Sequence, residues 1–219
     1  MRYKAVIFDL DGTLLDTLAD LASSCNRVLV QLGYPVHPNE AYRYFVGDGM
    51  TTLVQRILPE DKQTSNVINH AVELFRQDYA ENWAVDTTLY EGVGSMLDRL
   101  KALGVRICIL SNKPDGFTQL CVSKLLGQWT FELIYGQRDG VPRKPDPAGA
   151  FALLQELGLK NEEVLYVGDT ATDMKTAAAA QLDKVGVAWG FRDVKELQDS
   201  GADYIIDHPG QLIDIIESR

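Results

Sequence analysis

Two pairs of aspartates stand out by their spacing. Asp9 and Asp11, in Asp9-Leu10-Asp11-Gly12-Thr13, lie one residue apart at the end of a short apolar run. As a strand ends, carboxylates at i and i+2 share a face, and the glycine that follows permits a tight turn. One acid is then placed to attack as a nucleophile while the other carries a proton. A plain Asp-Gly turn with solvated acids would read the same way. The second pair, Asp169 and Asp173 in Gly168-Asp169-Thr170-Ala171-Thr172-Asp173, also follows an apolar run. A helix starting near Thr170 sets Asp173 one turn beyond Asp169, so both acids face one cleft. Such carboxylates are the hard oxygen ligands that Mg2+ takes. Acids in a first helical turn also complement the helix dipole without any metal.

Two further segments supply groups of other types. Ser111-Asn112-Lys113 follows Val105-Arg106-Ile107-Cys108-Ile109-Leu110 directly. A hydroxyl, an amide and backbone N–H groups at a strand-to-helix junction make an anion site, and the same residues also serve as an ordinary helix cap. In Arg143-Lys144-Pro145-Asp146-Pro147 two prolines stiffen the chain, and Asp146 or Pro147 can open a helix, leaving Lys144 on a rigid loop. A lone lysine there would ordinarily be solvated. Taken together, acids, hydroxyl, lysine and more acids each leave an apolar run in turn. Clustered carboxylates repel, and a divalent cation with Lys144 relieves that repulsion.

The elements that must position these groups are short. Tyr3–Phe8, Val105–Leu110, Val164–Val167, Lys184–Ala188 and Tyr204–Ile206 are apolar runs bounded by polar or glycine residues, the pattern of buried parallel strands. Between them, Val93, Met96, Leu97, Leu100 and Leu103 recur at helical spacing before Gly104, and Ala150, Phe151, Leu153, Leu154 and Leu157 before Gly158. The alternation predicts an α/β fold with a doubly wound, Rossmann-like parallel sheet. Ligands in such sheets bind at the carboxyl ends of the strands, where all four segments fall.

The alternation breaks after the first strand. Leu18, Leu21, Ala22, Cys25, Val28, Leu29 and Leu32 form one amphipathic pattern closed by Gly33, Val67 to Tyr79 another, and Leu53 to Leu58 a shorter one. The expected organisation is a core of residues 1–15 and 86–219 interrupted by an all-helical unit of residues 16–85. Hinges are expected near Asp16-Thr17 and over Asp86–Tyr90. Within the unit, Phe45-Val46-Gly47-Asp48-Gly49-Met50 carries two glycines that allow a backbone close to a ligand, or a turn between helices. Trp83, Trp129 and Trp189 are read as packing.

The ordered motifs resemble those of the haloacid dehalogenase superfamily, and specifically its phosphatases. Asp9-Leu10-Asp11-Gly12-Thr13 is similar to the first motif, Ser111 to the second, Lys144 in Lys-Pro-Asp-Pro to the third, and Gly168-Asp169 through Asp173 to the fourth. The helical unit resembles the cap of that family. Asp9 through Thr17, Ser111-Asn112-Lys113-Pro114 and Val185 through Gly190 are most similar to its phosphoglycolate phosphatase branch. One departure is Ala180-Gln181, where members carry Ala-Gly.

The resemblance implies an aspartyl-phosphate route on a small phosphorylated metabolite. Asp9 would attack phosphorus, and Asp11 would serve as acid and then base. Ser111, Asn112 and Lys144 would bind phosphate. Mg2+ would sit on Asp9, the Asp11 carbonyl and Asp169, with Asp173 orienting that shell. Residues Phe45, Val46, Gly47, Asp48, Gly49 and Met50 would read the leaving group. Asp11 separates phosphatases from the dehalogenases proper, which lack it. A capped sugar phosphomutase shares these motifs, and a catalytically silent binding protein on the same fold is the remaining alternative; the intact acids argue against the latter.

The 219 residues carry 21 Lys and Arg against 31 Asp and Glu, a formal charge of -10. That balance disfavours nucleic acid and anionic membrane surfaces as partners, while a metal or a local lysine still admits a small anion. Three scattered cysteines and three scattered histidines contain no Cys-x-x-Cys or His-x-x-x-His pair, so neither a disulfide framework nor a structural zinc site is expected. The reading is a reduced, cytoplasmic enzyme.

Overall fold

The computed structural model describes residues 2–218. Its frame is a six-stranded parallel sheet. In chain order the strands are β1 (Ala5–Phe8), β4 (Arg106–Pro114), β5 (Leu133–Gln137), β6 (Val164–Gly168), β7 (Asp183–Val187) and β8 (Tyr204–Ile206). A separate ribbon pairs β2 (Leu15–Asp16) with β3 (Thr88–Leu89). The spatial order β5-β4-β1-β6-β7-β8 is that of a doubly wound fold. Crossovers run one way from β1 to β4 and β5 and the other way to β6, β7 and β8. The direction therefore reverses beside β1, which opens a crevice at the carboxyl ends of β1 and β6. Phe8 is level with Ile109 on one side and Val167 on the other, so Asp9 and Gly168 emerge together.

The period of two along β1 builds both layers. Val6 and Phe8 face α5 (Val93–Ala102), α6 (Asp115–Leu125) and α10 (Gln211–Glu217) through Leu97, Leu100, Val122 and Leu212. Ala5 and Ile7 face α7 (Ala148–Leu157) and α8 (Ala171–Ala179) through Leu153, Leu157 and Ala177. All four β1 residues are buried, which explains why its sequence is a continuous apolar run. A short helix α9 (Val194–Asp199) precedes β8.

Four helices lie between β2 and β3: α1 (Leu18–Gln31), α2 (Asn39–Phe45), α3 (Met50–Ile57) and α4 (Ser65–Asn82). They share their own apolar cluster, with Leu21, Cys25, Leu53, Phe75 and Tyr79 packed inward and Phe191 entering from the core. Leu15 pairs with Leu89 and Asp16 with Thr88 in antiparallel register, so entry and exit of the helical unit run side by side. The buried Asp20 carboxylate fixes the exit strand. It accepts from the N–H groups of Val85, Asp86 and Thr87 at 3.1, 3.0 and 2.9 Å, and from the Thr87 hydroxyl at 2.6 Å.

Two differences from the sequence pattern bear on the site. The fourth motif's strand ends as expected, but β4 continues through Ser111, Asn112 and Lys113 to Pro114, with a register shift against β5 after Leu110. The expected strand-to-helix junction at Ser111 is therefore corrected: α6 begins only at Asp115. β5 was not anticipated, because Leu133-Ile134-Tyr135-Gly136-Gln137 is a mostly half-buried edge strand whose glycine and polar residues obscure its periodicity. No helix among the described residues is long and apolar enough to cross a membrane.

Candidate active site

Asp9 follows β1 and is held to β6 by its own N–H, which donates to the Val167 carbonyl at 2.9 Å. Leu10 then turns the chain: the N–H groups of Thr13, Leu14 and Leu15 all point to its carbonyl at 3.0–3.3 Å. Gly12 adopts φ +89°, and a Cβ there would lie 2.3 Å from Asp169 Oδ2. Gly190 borders the same carboxylate, since its Cβ would lie 2.2 Å from Asp169 Cβ and 2.5 Å from the Gly12 carbonyl oxygen. Only hydrogen fits at either position, so the glycines let two loops close around one buried acid. Trp189 completes this seam, its indole N–H donating to the Thr13 carbonyl at 3.0 Å.

Asp9, Asp169 and Asp173 are all buried, and each offers a carboxylate oxygen within 4.8 Å of the others. Asp169 accepts from the Thr13 hydroxyl at 3.0 Å and the Phe191 N–H at 2.8 Å. Asp173 closes a reciprocal cap at the start of α8. Its Oδ2 accepts from the Thr170 N–H at 3.1 Å and hydroxyl at 2.7 Å, and its Oδ1 accepts from Lys144 at 2.7 Å. Lys144 Nζ also lies 2.9 Å from Asp9 Oδ1, at ion-pair distance but without hydrogen-bond alignment. Asp9 Oδ1 is thus a buried oxygen with a charged neighbour and no aligned donor.

Burial dominates the electrostatics. It pushes the Asp9 carboxyl up to about 7, against the pull of Lys144, with Asp173 and Asp11 adding to the rise. It drives Asp169 well above the usual carboxylate range, reinforced by Asp173 and Asp9. For Lys144 burial works the other way, yet Asp173 and Asp9 outweigh it and its pKa is raised. One ammonium among three buried acids leaves a shortage of positive charge. The all-oxygen donor set, the unaligned Asp9 oxygen and this shortage together fit a small hard divalent cation.

Asp11 faces a different partner. Its carboxylate oxygens lie 3.0 and 3.2 Å from Lys113 Nζ, which also donates to the Tyr79 hydroxyl at 2.9 Å. Tyr79 belongs to α4, so the helical unit reaches this point. Sequence reasoning missed both residues. Lys113, two residues after Ser111, gave a usable signal as a lysine that directly follows a candidate site motif. Tyr79 was legible only as one more apolar position on a helix.

A cavity of about 50 Å³ opens between the two units. Asp9, Asp11, Ser111, Asn112 and Lys113 line one wall, and Leu21, Leu53, Phe75 and Tyr79 the other. Of the six loop residues singled out, Val46, Gly47, Gly49 and Met50 line it. Phe45 and Asp48 do not. Phe45 packs edge-on against His37 and Tyr42 inside the helical unit. Asp48 turns to the core surface, accepting from the Thr172 hydroxyl at 2.8 Å and from Arg56 at 2.6 Å. These bonds outweigh burial and lower its pKa.

Asn112 also lines the cavity, and its side chain is engaged within the protein. Its side-chain oxygen accepts the Lys144 N–H at 2.9 Å, and its amide donates to the carbonyls of Lys144 at 3.0 Å and Gly47 at 3.1 Å. With one acceptor and two donors engaged, the side chain clamps the lysine loop and fastens the 45–50 loop to the core. Arg192 and Arg143 add bonds to the carbonyls of Val46 and Asp48 at 2.9 and 3.1 Å. Ser111 remains at the cavity wall, its hydroxyl accepting the Lys113 N–H at 3.2 Å.

Buried acids at the switch point of a doubly wound sheet, with lysine beside them, recur in known proteins. The model of the haloacid dehalogenase-like hydrolase family matches residues 6–187. The chain belongs to that family. It is 33% identical to a phosphoglycolate phosphatase of Pseudomonas putida over 208 residues, 93% of this chain and 76% of that protein. It is 32% identical to a phosphoglycolate phosphatase of Chromobacterium violaceum, covering 98% and 97% of the two chains. A solved structure from Lactobacillus delbrueckii subsp. bulgaricus superposes with a TM-score of 0.92 at 32% identity over 99% of each chain. Membership in this hydrolase family with such relatives makes the chain a phosphatase.

Proposed function

We propose that this phosphatase hydrolyses a small phosphate monoester through an aspartyl-phosphate on Asp9, with 2-phosphoglycolate, the ester after which its relatives are named, as first candidate substrate. The observation that carries the reading is the placement of Asp9: buried, unaligned at Oδ1, beside Lys144, and at the edge of the cavity. An Asp9 carboxylate oxygen attacks phosphorus as the bond to the leaving oxygen breaks, and Asp11 gives that oxygen a proton. Asp11 then takes a proton from the water that attacks phosphorus and releases phosphate from Asp9. Ser111 and Lys144 hold phosphoryl oxygens, and Asp173 keeps Lys144 in place. Asp9, Asp169 and the Asp11 carbonyl would hold Mg2+, which when bound neutralises the phosphoryl oxygens and keeps Asp9 ionised.

The helical unit acts as a cap that excludes water and reads the leaving group through Val46, Gly47, Gly49 and Met50. The test is phosphate release from a panel of phosphorylated metabolites, with Mg2+ and with EDTA. Turnover confined to small esters and dependent on the metal is the expected result; metal-independent turnover, or isomerised hexose phosphate, counts against it.

A further inference from the structure

Lys113 is the one cationic side chain among the described residues lining the cavity, and that side chain is 4% exposed. Its three donors are taken by the two Asp11 oxygens and the Tyr79 hydroxyl. Its ammonium also lies 4.8 Å from the centre of the Tyr79 ring. By accepting from Lys113, the phenol keeps its own proton to donate. The facing walls are apolar, with Leu21, Phe75 and Phe117 at the surface of the cavity.

A buried ammonium without a counter-charge is strongly disfavoured, and here Asp11 supplies that charge. Both Asp11 oxygens contact Lys113, so an Asp11 that carries its proton to the leaving oxygen cannot serve as that counter-charge. With a neutral leaving group, Lys113 is then a buried cation without a counter-charge. A leaving group that carries its own carboxylate takes the place of Asp11 at Lys113 and accepts the free Tyr79 proton. We propose that Lys113 and Tyr79 form the recognition site for a carboxylate on the leaving group. Among small phosphate monoesters, this pair would select those whose leaving group is itself an acid. This inference rests on the phosphatase reading above and adds to it the residues that select among small esters.

The test compares kcat/KM for 2-phosphoglycolate and for 2-hydroxyethyl phosphate, which replaces the carboxylate by a neutral CH2OH. Both are measured with Mg2+ in the full chain, in Lys113→Met and in Tyr79→Phe. The unmodified protein should prefer the acid by roughly 100-fold or more. Lys113→Met should bring the ratio close to one, and Tyr79→Phe should cut it by roughly fivefold or more, mainly through KM for the acid. A ratio near one in the unmodified protein overturns the proposal, as does an unchanged ratio in either folded variant. If Lys113→Met does not fold, the unmodified ratio and Tyr79→Phe decide. Absence of turnover on both esters and on an aryl phosphate is a separate failure, that of the phosphatase reading itself.

Discussion

Replacing Asp9 by asparagine should abolish turnover and, without metal, make the protein more stable. Asp9 is buried among acids, and its carboxyl is raised from 3.8 to about 7 even with Lys144 beside it. The folded state therefore holds a proton there that the unfolded chain releases. Stability is fully present below pH 3.8 and is lost as pH rises to about 7. A rise of this size corresponds to roughly 4 kcal/mol at pH 8, with the attraction of Lys144 already counted. Asparagine removes the charge, and Lys144 retains Asp173 at 2.7 Å, so no cation is orphaned. The new amide protons lack acceptors and take back part of the gain, about 1–3 kcal/mol. The net should be about 2 kcal/mol, or roughly 4–8 °C in Tm for a chain of this length. Thermal unfolding in EDTA at pH 8 and at pH 4 measures it: the gain should be clear at pH 8 and vanish at pH 4. Mg2+ should raise the Tm of the unmodified protein more than that of the variant. An Asp9→Asn protein no more stable than its parent at pH 8 in EDTA refutes the electrostatic account of the site.

Gln181→Gly should stabilise the fold by about 1 kcal/mol and leave activity unchanged, because Gln181 sits at φ 57° in the left-handed region that glycine tolerates; urea denaturation reads this. Asn112→Ala should cost about 2 kcal/mol and lower kcat, since it frees both the Lys144 loop and Gly47; denaturation and steady-state rates together check it. Asp20→Asn should destabilise by about 1–3 kcal/mol, because the amide replaces one acceptor oxygen of four hydrogen bonds by a donor. Amide hydrogen exchange should localise that loss to residues 85–87.

The sheet was legible because its inner strands are short apolar runs, and the acids at their ends marked where they stop. Asp9, Asp169, Asp173 and Lys144 meet because the order of strands brings their loops to one crevice, which no single segment states. The edge strand β5 escaped because half-buried residues carry little periodicity. The structural contacts of the Asn112 side chain were not legible, because an amide looks alike whether it meets a phosphate or a backbone. Lys113 and Tyr79 were missed for another reason. Their meeting joins α4 to β4 across two units, and sequence spacing within either one is silent on it. Gln181 shows the reverse case: the departure from Ala-Gly was visible in the sequence, and the left-handed backbone gives it a physical meaning.

The pairing of β1 has a consequence for the order in which a ribosome delivers this molecule. The strand that carries Asp9 is made well before both of its neighbours, since β4 begins at Arg106 and β6 at Val164. The four helices α1–α4 are contiguous and pack largely on one another, so they can gather while the rest is still being translated. Asp9 is anchored by Val167, and Asp169 in turn by Phe191. A nascent chain that has passed Asp173 but not reached Phe191 therefore contains Asp9, Asp11, Asp169 and Asp173 without the N–H group that holds Asp169. Asp9 is thus synthesised long before the groups that fix it in place.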